Sequence, residues 1–187
     1  DYSFGSYSFY HGVVYASKGA DHFPNCYILR YRPEDVVQVS ALSRQDWRVD
    51  YLRPGNVLYN DASVEFQSPM PTHFREQAYL LPLTSDRSST ASEMVRFNID
   101  RPARVYIALD ERCTNPPAWL AGWSKIGERL VSNDAASPGR QLYVREFPAG
   151  TVVLGPNGGT LTPGNYEMYS VIITNTNNAA DNWDLYP

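Results

Sequence analysis

Charge, cysteine and long apolar runs are all scarce in this chain. Only 19% of the 187 residues are charged, and the formal net charge is −4. No Lys/Arg run or basic stripe is present to release counterions from phosphates, which argues against nucleic acid as a partner. No apolar run approaches the length that spans a membrane as a helix. Glu, Lys and Ala are too few for a helical cytosolic enzyme. The two cysteines, Cys26 and Cys113, form no Cys-x-x-Cys pair, and the three histidines are scattered, so a zinc site is not expected. No Gly-x-Ser-x-Gly elbow, phosphate loop or His-Glu-x-x-His stands in the chain. Paired carboxylates for glycoside hydrolysis are a spatial arrangement that a sequence does not display. Ordinary hydrophobicity and low net charge exclude a disordered chain. A chain that begins at Asp1 reads as a processed or excised segment.

What is abundant is aromatic residues, at 13% with 14 tyrosines, set in period-two alternation. Strands are expected at Gly12–Ser17, Cys26–Arg32, Val36–Ala41, Trp47–Leu52, Ser63–Gln67, Gln77–Leu83, Met94–Ile99, Val105–Leu109, Leu142–Phe147, Thr151–Leu154 and Tyr166–Thr174. Turn signals separate them: Arg53-Pro-Gly55, Ser137-Pro-Gly139, Gly155-Pro-Asn-Gly-Gly159 and Thr162-Pro-Gly164. The pattern predicts an all-β fold, an antiparallel β-sandwich or jelly roll with few or no helices. Helical signals are confined to one turn over Arg32–Val37 and a short helix over Ala118–Ile126 that would align Trp119 and Trp123 at i, i+4. The first fifty residues hold too few strands for a core of their own, so 1–187 reads as a single enlarged sandwich. Residues 1–58 add strands and an aromatic N-terminal arm. The termini are aromatic as well (Tyr2, Phe4, Tyr7, Phe9, Tyr10, Trp183, Tyr186), suited to packing or to edge pairing in a homo-oligomer.

Three segments carry a resemblance. They are Arg104-Val-Tyr-Ile-Ala-Leu-Asp-Glu-Arg112, Pro117-Ala-Trp-Leu-Ala-Gly-Trp123 and Phe147-Pro-Ala-Gly-Thr-Val-Val-Leu-Gly155, preceded by Ser85-Asp-Arg-Ser-Ser89 and Met94-Val-Arg-Phe-Asn-Ile99. Over about residues 59–174 the chain resembles the β-sandwich module appended to secreted bacterial polysaccharide-degrading enzymes. The resemblance implies a secreted, non-catalytic, carbohydrate-binding or accessory module. It implies a polysaccharide or oligosaccharide partner and an attached catalytic domain. A structural domain making protein contacts or oligomers is the first alternative. A polysaccharide lyase using His11, His22, His73 or a tyrosine as base beside a uronic acid is the second.

Trp119 and Trp123, stiffened by Pro116 and Pro117, are candidate platforms for the apolar face of a sugar ring. The same rings would serve equally as a plug for the open end of the sandwich. Asp86, Arg87, Asp110 and Arg112 end strands and can meet at one rim, where they would bind hydroxyls or sugar carboxylates. Asp86, Asp110 and Glu111 can alternatively hold a calcium ion, and the bland reading is a salt-bridge network closing the loops. No other cofactor is expected. In an oxidising compartment Cys26 and Cys113 can pair as a disulfide, worth at most about 4–5 kcal/mol; otherwise they are buried thiols.

Overall fold

The computed structural model of the chain describes residues 36–157 and 166–176. Ten strands run through them: β1 Val39–Ser40, β2 Arg48–Tyr51, β3 Phe66–Gln67, β4 Ala78–Leu81, β5 Val95–Ile99, β6 Ala103–Asp110, β7 Ser124–Ser132, β8 Gly139–Phe147, β9 Gly150–Leu154 and β10 Ser170–Asn175. They build two sheets, β1-β5-β9 and β2-β4-β10-β6-β8-β7-β3, and every pairing is antiparallel. The helical pieces among the described residues are short 3-10 turns: Thr72–Phe74, Thr84–Ser88 and Ala118–Leu120. The chain is an all-β sandwich with a half-barrel character, as the alternating pattern predicts.

Burial along the strands explains their positions. All four residues of β4 are buried, and so is every residue of β6 except Arg104. Strands covered on both faces read as continuous apolar runs. In β5 and β9 burial alternates, with Val95, Phe97, Ile99, Val152 and Leu154 inward and Arg96 and Val153 outward. One face of the large sheet is covered by the segment from 52 to 76. Its backbone is folded back on itself by Gly55 N–H to Phe66 O and Leu58 N–H to Val64 O, with a bridge between Val57 and Glu65. Phe66 meets Tyr79 edge-on at 5.7 Å and Phe74 meets Tyr106 edge-on at 4.9 Å. Tyr79 donates its hydroxyl to Val57 O at 2.9 Å. The strands of residues 36–58 are not a separate layer, since β1 pairs with β5 and β2 with β4.

Several expectations change. The helix over Ala118–Ile126 is a single 3-10 turn, because Pro116 and Pro117 precede it and Gly122, at φ +84°, redirects the chain into β7. Strand β7 itself has no counterpart among the expected strands. It lies largely exposed, so its residues lack the apolar alternation that marks a strand. The strands expected at Ser63–Gln67, Val36–Ala41 and Tyr166–Thr174 shorten to β3, β1 and β10. The strands at Gly12–Ser17 and Cys26–Arg32, both aromatic termini, His11 and His22 lie outside the described residues. Cys113 is a buried free thiol whose Sγ–H points to Asn115 O at 3.5 Å, and its pKa is pushed up by burial. Cys26 lies outside the described residues, so nothing supports the expected Cys26–Cys113 disulfide.

Candidate functional site

Arg87, Asp110 and Arg112 come together around Glu167, and Asp86 is held apart from them. Arg87 pairs with the Glu167 carboxylate at 3.2 Å, and the Glu167 N–H donates to Asp110 Oδ2 at 2.9 Å. Both aspartates are spent on partners within the fold. Asp86, 8% exposed, accepts from Arg44 at 2.9 Å, from the Trp47 indole at 2.7 Å and from the Leu83 N–H at 3.2 Å. Asp110 is fully buried and accepts from the Arg112 N–H and Nε, both at 3.0 Å. Burial pushes its pKa up, but the Arg112 guanidinium and the Glu167 and Arg112 N–H groups outweigh that and hold the carboxyl at about 2. Glu111 folds over Gly139 and lies 3.5 Å from Arg129. Among the described residues no three acidic, His or Cys side chains gather as a metal site would require. The geometry of Asp86, Arg87, Asp110 and Arg112 is that of loops fastened to one another.

The two tryptophans are anchors. Trp123 is buried at 9% exposure, and Trp119 is half-buried. Trp119 meets Trp123 edge-on at 5.8 Å and Tyr169 at 5.7 Å, and it donates its indole N–H to Pro156 O at 2.7 Å. Trp123 in turn lies against Phe147 at 5.7 Å. An indole whose N–H and edges are engaged this way fixes the loop 117–123 instead of standing out from it.

What that loop fixes is the wall of a groove that the sequence did not disclose. Gly122 from the loop, Ser124, Ile126 and Glu128 from β7, Arg104 and Tyr106 from β6, and Val144, Arg145 and Glu146 from β8 line an open cleft of about 670 Å³. A β-bulge makes it. Lys125 pairs with Tyr143 and Arg129 with Gln141, so four steps on β7 oppose two on β8. Gln141 closes the bulge by donating its amide Nε2 to Ile126 O at 2.6 Å. Bulges bend a strand and re-aim its side chains; here the bulged residues Ile126 and Glu128 contribute to the cleft. Val144, Ile126 and the nearly buried Tyr106 give it an apolar floor. Its charged walls are mostly paired: Arg104 Nε to Glu146 at 3.0 Å, and Glu128 to His73 Nε2 at 3.3 Å. His73 lies outside the cleft lining, stacked beside Phe74 at 4.1 Å. The bulge is the signal a sequence hides, because two extra residues in an exposed strand leave no compositional mark.

No family model and no curated protein matches the chain. Among solved structures it is similar to a β-glucuronidase from glycoside hydrolase family 2, with a TM-score of 0.65 and 17% identity. That match covers 89% of this chain and 17% of the β-glucuronidase. A second similar structure is a GH138 enzyme targeting pectin rhamnogalacturonan II, with a TM-score of 0.49 and 12% identity, covering 79% of this chain and 18% of that one. At these identities the likeness is one of fold. The chain spans about a sixth of each of these carbohydrate-active enzymes.

Proposed function

We propose that the chain is a non-catalytic, exported accessory domain that binds a saccharide of a larger carbohydrate-active protein, and that the binding site is the bulged groove. The observation that carries this is the groove's composition. An apolar floor of Val144, Ile126 and Tyr106 matches the C–H face of a sugar ring, and Arg104, Glu128, Glu146 and Ser124 match its rim of hydroxyls. Its volume of about 670 Å³ has room for a few sugar units. The fold likeness to one part of a much longer glycoside hydrolase supports the accessory role. Affinity per site is expected to be weak, since hydroxyls exchange water for protein partners at small net gain.

The test is amide chemical-shift mapping of the chain against soluble plant and bacterial oligosaccharides. Shifts at Gly122, Ile126, Glu128, Val144 and Glu146 are expected, and Ser124→Trp, a bulky change at an exposed position, should abolish them. Shifts confined to Arg87 and Arg112 would overturn the groove, and no shifts with any saccharide would overturn the binding role.

A second reading, a packing domain, rests on the exposed apolar residues Val49 and Tyr51 of β2 and Val153 of β9. Both strands are sheet edges among the described residues. A stable dimer in solution that Val49→Lys dissolves would favour it.

A further inference from the structure

Resting on the groove reading above, we infer that the groove selects a neutral saccharide over an acidic one, that Glu128 is the residue that selects, and that His73 positions it. The charges that face the cleft carry this. Side chains alternate along β8, so Val144 and Glu146 share the groove face with their partners Tyr106 and Arg104 of β6. Arg145 lies on the other face, its guanidinium carbon 5.4 Å from the centre of the Phe147 ring. Lys125 and Arg129 of β7 are registered with Tyr143 and Gln141, on that same far side, and Arg129 lies 3.5 Å from Glu111. Among the described residues the groove face therefore holds two carboxylates, Glu128 and Glu146, against one guanidinium, Arg104. Arg104 and Glu146 neutralise each other at 3.0 Å. Glu128 is the carboxylate left without a guanidinium.

Glu128 is held on one side and open on the other. Its Oε2 lies 3.3 Å from His73 Nε2, with the His73 side chain 18% and the Glu128 side chain 46% exposed. His73 belongs to the 3-10 turn Thr72–Phe74. Its ring lies 4.1 Å from that of Phe74, which meets the floor ring of Tyr106 edge-on at 4.9 Å. A run of rings thus joins the floor of the groove to the residue that holds its wall. Burial pushes the Tyr106 phenol up, the Thr174 and Arg104 side chains oppose it, and Glu128 adds to it, so both charged walls act at the floor ring. A carboxylate accepts a hydroxyl donor more strongly than a neutral oxygen does. One that is ordered before the ligand arrives loses less entropy on binding. A carboxylate carried by the ligand would meet Glu128 as a like charge and would find the one guanidinium already taken.

The experiment is amide chemical-shift titration of the whole chain at about pH 8, where imidazoles are neutral, and at low ionic strength, where exposed charges are least screened. The ligands are a gluco- and a galacto-oligosaccharide, both neutral, and the counterpart of each oxidised to the carboxylate at C6. The neutral forms are expected to bind about 3–5-fold more tightly, the effect of one partly exposed charge pair. Glu128→Gln keeps the shape and an acceptor oxygen but removes the charge. It should lower neutral affinity about fivefold and bring the neutral and acidic forms within about a factor of two of each other. His73→Leu should weaken neutral binding about threefold by releasing Glu128, and His73→Gln, whose amide can donate in place of Nε2, should retain it. Circular dichroism of the three variants should match the parent. Equal or tighter binding of the acidic forms, or a neutral preference that survives Glu128→Gln, overturns the inference and leaves the saccharide site standing. Neutral binding by His73→Leu at the parent's strength overturns the positioning role. No binding of any of the four ligands overturns the site itself.

Discussion

The indole of Trp119 lies directly where Gly155 would carry a side chain. A Cβ placed at Gly155 would sit 2.4 Å from Trp119 Cδ1 and 2.7 Å from its Nε1. The indole meanwhile donates to the carbonyl of Pro156, the next residue. Two segments 36 positions apart therefore close on each other at a distance only glycine allows. Gly155→Ala should destabilise the fold by about 1–3 kcal/mol through overpacking, because a rigid bicyclic ring pinned by its own hydrogen bond has nowhere to move. Urea unfolding at equilibrium measures it. A variant within about 0.5 kcal/mol of the parent would show that the indole shifts freely, and the anchoring role given to Trp119 would go with it.

This contact also marks the boundary of what the sequence discloses. The all-β fold was legible because β4, β5, β6, β8 and β9 carry either alternation or continuous apolar runs. The motif Pro117-Ala-Trp-Leu-Ala-Gly-Trp123 was legible as a special loop, but its direction was not. Whether an indole points to solvent or to Pro156 is decided by a partner 37 residues away. The rim residues were legible as candidates to meet, since they lie at or between strand ends; Arg87, Asp110 and Arg112 do so around Glu167, and Asp86 turns to Arg44 and Trp47 instead. Their internal use was hidden because the decisive partners, Arg44, Trp47 and Glu167, lie in segments with no motif of their own. The groove was illegible for the reason that β7 was: exposed polar strands carry no hydrophobic period, and a bulge is written in register, not in composition.

Asp110 gives the fold a defined response to acid. Its carboxyl is held at about 2, below the ordinary 3.8, because Arg112 and two N–H groups favour the anion more than burial opposes it. A carboxyl depressed in the folded state stabilises the protein above its unfolded pKa, and that contribution is lost as pH falls through the folded value. The depression corresponds to about 2 kcal/mol. Asp110→Asn should therefore unfold more easily than the parent at pH 7, by about 2–3 kcal/mol. The gap should hold down to about pH 4 and close between about pH 4 and pH 2. Thermal unfolding of both proteins across that range checks it. A gap that stays constant to pH 2 would mean that the anion is not what the variant loses, and that packing or geometry at the loop carries the difference.

Arg140 poses the sharpest energetic question, because it is a fully buried cation without a carboxylate partner among the described residues. Its Nη2 donates to the Tyr59 hydroxyl at 3.0 Å, which donates onward to Met168 O at 3.0 Å, while Nε and Nη1 have no partner among the described residues. Asp110 faces it across β6 and β8 but is committed to Arg112 and Glu167. Burial pushes the Tyr59 phenol up to about 12, so the hydroxyl stays protonated and keeps both roles at neutral pH. A charge so poorly matched contributes little beyond the volume that its stem fills. Arg140→Met, which keeps that volume, should lie within about 1 kcal/mol of the parent or above it. Arg140→Ala should cost about 2–5 kcal/mol, as a cavity does. Tyr59→Phe should cost about 1–3 kcal/mol by leaving Met168 O and Arg140 Nη2 both unmatched. Denaturant unfolding of the three variants separates the terms. If the methionine variant falls as far as the alanine one, the guanidinium itself is needed, and the two bare nitrogens must then be met by ordered water bridging them to Asp110 or its neighbours.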